Sequence, residues 1–237
     1  MVVGAFNLRS TGAPLAQLLS PYFTVFMYDR RGRGESGDTQ PYTVEREIED
    51  IEALVNEAGG SALIFGYSSG AVLSLKAAAH HVNVMKLALY EPPFIVDNSR
   101  PRPPLDLQAR LAEMVSTGRR GEAVELFQTA GVGMPADIVV QLRTAPFRPS
   151  LEAMAHTLVY EMSILGDQSF PRDIADSITV PTLVIGGTAS PSWMQHGVQV
   201  TAQSLPNTHY SMLEGQTHDI GPAAPVLAPV LCEFYNG

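Results

Sequence analysis

Residues 62–79 read ALIFGYSSGAVLSLKAAA, an apolar run followed at once by a helical pattern. The two parts meet at Gly66-Tyr67-Ser68-Ser69-Gly70, and a G-x-S-x-G between a strand and a helix predicts a very tight, strained turn with the serine at its tip. Side chains at positions 66 and 70 would collide with the neighbouring strand and helix, so glycine is needed there. The turn should expose the Ser68 hydroxyl above the sheet and aim the Ser69 N–H at the same space. The alternative is a small-residue turn that is packed closely for steric reasons alone.

Similar apolar runs alternate with helical patterns along the chain. Strands are predicted at 23–29, 62–67, 84–91, 181–187 and 209–215. All but the last are uniformly apolar, which is typical of strands buried on both faces of a parallel sheet. A helix is predicted over 44–58, with Thr43 as its cap and Gly59 as its stop. The alternation predicts an α/β protein with a mostly parallel sheet flanked by helices.

The alternation stops in one region. Residues 98–179 contain no strong strand pattern, and helices are predicted near 105–117, 120–130, 136–144 and 150–165. We interpret this region as a helical cap over one edge of the sheet, inserted into a core formed by 1–97 and 180–237. The alternative is a second packing layer with no part in binding.

Composition restricts the classes of partner. The formal net charge of the 237 residues is −9, with 15 Lys and Arg against 24 Asp and Glu, so we expect no nucleic-acid partner. The single cysteine, Cys232, suits a reducing cytoplasm. No signal peptide, bilayer-spanning run, metal-ligand spacing or cofactor motif is present, so we expect a cytoplasmic protein with no membrane partner, no metal and no cofactor.

Three segments resemble the α/β-hydrolase family: YDRRGRGESGD at 28–38, the GYSSG turn, and EGQTHD at 214–219. The resemblance implies a central sheet, a cap after the sixth strand, and a Ser–acid–His triad in that chain order. Of six histidines, His218 alone follows the last predicted strand, and it is the predicted base for Ser68. The other histidines, at 80, 81, 156, 196 and 209, are expected to be surface or packing residues.

The acid of the triad is not in its usual place. Most relatives carry it after the strand that here reads LVIGG, but this strand is followed by Thr188-Ala189-Ser190. Some relatives, including haloalkane dehalogenases and certain lipases, carry the acid one strand earlier, where this chain has Glu91. We predict that Glu91 orients His218. The alternative is a buried glutamate paired with an arginine of the 29–33 loop.

The resemblance also implies an oxyanion hole formed by the backbone N–H groups of Ser69 and a residue after Gly4. Ala5 is the expected second donor, and Phe6 is a less favoured substitute. Family members have two strands and most of a third before this point, whereas only Met1-Val2-Val3 precede Gly4. We therefore expect those N-terminal strands to be missing. Either the chain is shortened, or a neighbouring chain completes the sheet in a homo-oligomer.

A serine nucleophile argues against the aspartate-dependent dehalogenases and epoxide hydrolases. We predict hydrolysis of an ester or lactone of a small, uncharged, mainly apolar acyl substrate. The predicted substrate-binding residues are Phe6, Tyr67, Met162 and Trp193, with further candidates at Met114, Met134, Met154, Leu158 and Leu165. Two other classes stay open: a non-hydrolytic lyase or cyclase on the same fold, and a small-molecule receptor.

Overall fold

The fold is built on one parallel sheet. The computed structural model describes residues 1–237 and contains four strands in the order β1-β2-β3-β4, every neighbouring pair parallel. Their bounds are β1 Ala62–Tyr67, β2 Val84–Tyr90, β3 Thr182–Gly187 and β4 Thr208–Leu213. The α/β class and four of the five predicted strands are confirmed.

Helices cover the sheet and fill the connections between strands. Those of the core are α1 Ala13–Leu19, α2 Val44–Glu57, α3 Ser69–Ala79, α10 Ser192–Ser204 and α11 Ile220–Asn236. Those between β2 and β3 are α4 Leu107–Ser116, α5 Arg120–Leu126, α6 Ala136–Gln141, α7 Arg148–Ala153, α8 Thr157–Leu165 and α9 Arg172–Ala175. None of the helices combines the length and the apolar character that crossing a bilayer requires.

Alternate residues of each strand enter different cores. Leu87 and Leu89 of β2 pack with α2, α3 and α10, whereas Ala88 and Tyr90 pack with α1 and α11 on the opposite face. This two-residue period places apolar side chains on both faces of the strand, as a parallel sheet between two helical layers requires. The active edge of such a sheet is the one where the strands end.

The strand predicted at 23–29 does not form. This segment lies beside the chain start, where Val2 makes one isolated parallel bridge to Gly66 and the Met1 amino group donates to Phe26 O at 2.8 Å. Because no neighbouring strand supplies a ladder of hydrogen bonds, the apolar segment stays irregular. A cavity of about 410 Å³ lies between it and β1, with a lining that excludes Ser68 and His218.

The region between β2 and β3 is helical, as predicted, but two helices are interrupted. The predicted helix at 150–165 is divided into α7 and α8 by a turn, and the predicted helix at 120–130 passes from α5 into a π-helix at Phe127–Val132. The region has its own apolar cluster, formed by Leu107, Leu111, Ala123, Val124, Phe127, Ala155, Leu158 and Met162. It therefore packs largely on itself while its π-helix faces the sheet edge.

Candidate active site

Ser68 lies on a strained turn between β1 and α3. Its φ of 59° and ψ of −128° fall outside the regions that residues with a side chain prefer. A Cβ on Gly66 would lie 2.6 Å from Ala71 Cα, and one on Gly70 would lie 2.3 Å from Val2 O. The Ser68 N–H donates to Tyr90 O at 2.9 Å. Close packing on both sides therefore holds the serine in this conformation.

His218 faces the serine from the loop after β4. Its Nε2 lies 3.0 Å from Ser68 Oγ. The loop is held by the Tyr90 hydroxyl, which donates to Thr217 O at 2.6 Å, and the imidazole ring lies 5.1 Å from the Tyr67 ring. Burial raises the pKa of both tyrosine hydroxyls, so both side chains are uncharged at physiological pH. Two uncharged tyrosines therefore flank the base: Tyr90 holds its loop, and the Tyr67 ring lies beside the imidazole.

Glu91 completes the hydrogen-bonded series. Its side chain is fully buried, and its Oε2 lies 2.7 Å from His218 Nδ1. Its Oε1 accepts the Gly187 N–H at 2.8 Å. Since an ionised carboxylate can only accept a hydrogen bond, this contact assigns the tautomer with its hydrogen on Nδ1, in which Nε2 is free to accept the Ser68 proton. Glu91 itself has a φ of 47°, a second strained residue at the sheet edge.

The turn at 188–190, which contains no acid, contacts the loop that carries His218. The Ala189 N–H donates to Gln216 O at 2.9 Å. A Cβ on Gly187 would lie only 2.1 Å from the same Gln216 oxygen. The turn after β3 therefore packs directly against the 214–219 loop, which carries His218.

The alternative partner for Glu91 does not hold. Arg30 donates from Nε to Glu47 at 2.7 Å and from Nη1 to Glu161 at 2.9 Å. Arg33 also pairs with Glu161. All four side chains of this cluster are buried, and their two positive and two negative charges balance. Arg30 and Arg33 thus join the core to α8, Arg31 pairs with Asp50, and none of the three pairs with Glu91.

The same arginines shape the loop at 3–6. Arg33 Nη1 donates to Gly4 O at 2.6 Å, and Arg30 Nη1 donates to Val3 O at 3.3 Å. A Cβ on Gly4 would lie 2.8 Å from Ser68 Cβ, so the loop backbone passes directly beside the serine. Two buried cations therefore fix the carbonyl groups of the loop that passes the reacting hydroxyl.

The amides near Ser68 differ in their hydrogen bonding. The Ala5 N–H, the expected oxyanion donor, donates instead to Ser69 Oγ at 2.9 Å. The N–H groups of Ser69 and Phe6 have no acceptor within the protein. Phe6 also has a φ of 61°, which turns the backbone sharply at this point. The Ser69 N–H is thus free to donate to a bound oxygen. The Ala5 N–H must first release Ser69 Oγ before it can donate to the same oxygen.

A cavity of about 200 Å³ opens above these groups. Three of the residues that are predicted to bind substrate, Phe6, Tyr67 and Trp193, line it together with Met134 and Leu165. The prediction for Met162 is corrected, because α8 turns this side chain into the apolar cluster of its own region. Met114, Met154 and Leu158 are likewise absent from the lining.

Sequence reasoning missed several lining residues, among them Arg100, Gln128 and Gln168. Arg100 follows an irregular stretch after β2, and neither glutamine belongs to a motif. Their place in the cavity depends on how the inserted helices fold back over the sheet edge. We find no local signal in the sequence that would have identified them.

The remaining histidines have other partners or lie away from the serine. His196 Nδ1 lies 2.5 Å from Asp97, and Arg120 donates to His156 Nδ1 at 3.0 Å. Burial, followed by the charge of Arg120, lowers the pKa of His156. No histidine other than His218 lines the cavity above Ser68.

A strand–serine–helix turn, a histidine after the last strand and a carboxylate between them are found together at one sheet edge. Residues 4–228 match the model of the alpha/beta hydrolase family. The chain belongs to this family. The match covers the core strands and the helical insertion alike, so the family assignment applies to the whole fold.

Solved structures resemble this alpha/beta hydrolase over nearly its full length. An alpha/beta hydrolase from Sphaerobacter thermophilus DSM 20745 is 53% identical, with a TM-score of 0.92, over 99% of this chain and 90% of that one. The enol-lactonase from Burkholderia xenovorans LB400 has a TM-score of 0.72 at 21% identity, over 100% of this chain and 90% of that one. The second likeness concerns the fold alone.

A curated relative matches over a shorter stretch. A probable alcohol acetyltransferase from Wickerhamomyces anomalus (strain ATCC 58044 / CBS 1984 / NCYC 433 / NRRL Y-366-8) is 30% identical over 108 residues. The match covers 44% of this chain and 30% of that protein, so the chain spans less than a third of its length.

Proposed function

We propose that this alpha/beta hydrolase cleaves an ester or lactone of a small substrate through an acyl-enzyme on Ser68. The supporting observation is the unbroken series from Glu91 through His218 to the Ser68 hydroxyl, with contacts of 2.7 and 3.0 Å. A serine hydroxyl is a weak nucleophile until a base accepts its proton. The series supplies that base, and the adjoining cavity supplies room for a small acyl group.

The first half of the reaction forms the acyl-enzyme. Ser68 Oγ attacks the carbonyl carbon as its proton moves to His218 Nε2, and the Glu91 carboxylate stabilises the resulting imidazolium. The bond to the leaving oxygen then breaks, and that oxygen takes the proton from His218. In a lactone the leaving alcohol remains attached to the acyl chain.

The second half restores the enzyme. Water attacks the acyl carbon and gives a proton to His218 Nε2, after which the bond to Ser68 Oγ breaks and the serine recovers that proton. The negative carbonyl oxygen of both steps is held by the Ser69 N–H and by Ala5, whose N–H leaves Ser69 Oγ as the charge develops. The free carboxylic acid and the alcohol are the products.

Two measurements test the proposal. A fluorophosphonate probe should label wild-type protein at Ser68, and labelling should be lost in Ser68→Ala and strongly reduced in His218→Ala. Turnover of short p-nitrophenyl acyl esters should follow the same order. His209→Ala is the matched control, since this histidine lies at the start of β4 beside Phe234, at the opposite end of the strand from the His218 loop, and does not line the cavity.

The outcomes separate the candidate classes. Labelling with ester turnover supports hydrolysis. Labelling without turnover of any acyl ester would contradict hydrolysis and favour a non-hydrolytic enzyme of this fold. Absence of labelling would contradict an activated serine and favour a small-molecule receptor.

A further inference from the structure

Arg100 brings an unpaired positive charge to the cavity. It is the one arginine or lysine among the lining residues, and the lining contains no Asp or Glu. Its Nη2 donates to Gly131 O at 2.7 Å, and its guanidinium carbon lies 4.5 Å from the centroid of the Trp193 ring. No carboxylate lies within ion-pair distance of it. A guanidinium has five N–H donors, so most of its donors have no protein acceptor.

The position of this guanidinium is restricted. A Cβ on Gly133 would lie 2.8 Å from Arg100 Cζ, so the backbone after the π-helix passes directly against the charged group. The side chain is partly buried, and burial lowers the pKa of Arg100. An arginine still stays protonated at neutral pH, so the cavity holds a partly desolvated cation that lacks a counter-ion. Such a group binds an anion more strongly than an exposed arginine does.

Two buried glutamines add polar groups to the lining of the same cavity. Gln168 Nε2 donates to Gly131 O at 2.8 Å, the oxygen that also accepts from Arg100. Gln128 precedes Gly131 in the π-helix. Both glutamines are buried, at 4% and 3% exposure for Gln128 and Gln168, and the Oε1 of each lacks a donor. A buried acceptor without a donor is costly, which indicates that a water molecule or a ligand N–H or O–H group meets it.

We propose that the substrate carries a carboxylate, which pairs with Arg100 while its ester or lactone carbonyl lies at Ser68. This inference rests on the proposed function and names its substrate class: half-esters and carboxylated lactones of short diacids. It replaces the uncharged substrate expected from the sequence. The apolar side chains of Met134, Leu165 and Trp193 would cover the methylene groups between the two polar ends.

Binding tests the carboxylate without any chemistry. In Ser68→Ala, isothermal titration calorimetry is used with the monomethyl esters of succinate, glutarate and adipate. Each is compared with the neutral methyl ester of equal chain length, such as methyl pentanoate for monomethyl glutarate. At least one half-ester should bind about 10- to 100-fold more tightly than its neutral partner, as a charge-assisted contact allows. Equal affinities within every pair would overturn the proposal.

Variants of the arginine show whether its charge causes the preference. In the Ser68→Ala background, Arg100→Gln should remove the preference and Arg100→Lys should retain part of it. Arg119→Gln, which removes an exposed arginine paired with Glu113, should leave the preference unchanged. A preference that persists in Arg100→Gln would contradict the assignment, and so would a loss that Arg100→Lys does not relieve at all.

Turnover extends the test to the reaction. With Ser68 intact, the ratio of kcat/KM for a half-ester to kcat/KM for its neutral partner should fall about 10- to 100-fold in Arg100→Gln. Fluorophosphonate labelling of that variant shows whether the serine is still activated. If wild-type protein turns over no ester, the proposed hydrolysis fails, while the calorimetry still decides whether the site recognises a carboxylate.

Discussion

Glu91 and His218 meet across the end of a strand that belongs to neither of them. The Oε2 of Glu91, which follows β2, lies 2.7 Å from Nδ1 of His218, which follows β4. Strand β3 lies between these two strands and ends at Gly187, whose N–H donates to the other oxygen of Glu91 at 2.8 Å. The carboxylate therefore spans the end of β3, with one oxygen held by the Gly187 N–H and the other bonded to the imidazole.

Replacing this carboxylate should reduce catalysis with little change in shape. In Glu91→Gln the amide can donate to Nδ1, which favours the tautomer with its proton on Nε2 and removes the acceptor for the serine. We expect kcat on a p-nitrophenyl ester to fall about 10²- to 10⁴-fold, by analogy with triad acids. Glu214→Gln, an exposed carboxylate four residues before His218, is the control. Turnover of Glu91→Gln within a few-fold of wild type would refute the role.

The close contact at Gly187 leads to a prediction about the histidine loop. A methyl group in Gly187→Ala would meet Gln216 O at 2.1 Å, so the 214–219 loop must move and take His218 with it. We expect at least a 10²-fold loss of kcat and a lower midpoint of thermal unfolding. Gly37→Ala, where the added methyl meets no atom within 4 Å, should leave both nearly unchanged. Equal effects of the two substitutions would show that the contact is unimportant.

The hydroxyl of Ser69 competes for a proposed oxyanion donor. It accepts the Ala5 N–H at 2.9 Å, and removing it in Ser69→Ala frees this amide for the substrate oxygen. Since a neutral hydrogen bond contributes about 1 kcal/mol, we expect kcat to rise up to about fivefold. Steady-state kinetics beside the exposed control Ser116→Ala measures the effect. A tenfold fall would instead mean that the hydroxyl is needed to hold the 3–6 loop in place.

The buried ion cluster should be important for stability. Glu161→Gln leaves Arg30 and Arg33 with one carboxylate between them in a region closed to solvent. We expect the free energy of unfolding to fall by about 3–5 kcal/mol, measured by urea denaturation. Glu49→Gln breaks an exposed pair with Arg46 and should cost less than about 1 kcal/mol. A similar small loss of unfolding free energy for both variants would contradict the importance of the buried cluster for stability.

The sequence by itself determined the α/β class, four of the strands, and the place of Ser68 and His218 at strand ends. These features depend on local rules: the period of apolar residues, the glycines that a tight turn needs, and the order of elements along the chain. Even Glu91 could be named, because it ends the strand after which some relatives of the resembled family carry their acid. Helix α11 was not foreseen, since Pro225 and Pro229 lie inside it and normally argue against a helix.

Only the tertiary structure decided which side chains meet. Glu91 and His218 are 127 residues apart, and whether the carboxylate met this imidazole or the arginines of the 29–33 loop depended on how three strand ends and α8 pack. The absence of a strand at 23–29 has the same origin, because a strand exists only where a neighbour shares its hydrogen bonds. The burial of Met162 and the entry of Arg100 into the cavity depend on how the inserted helices fold back. A linear pattern records the period of a helix or strand, but the neighbours that its side chains meet are set by packing in three dimensions.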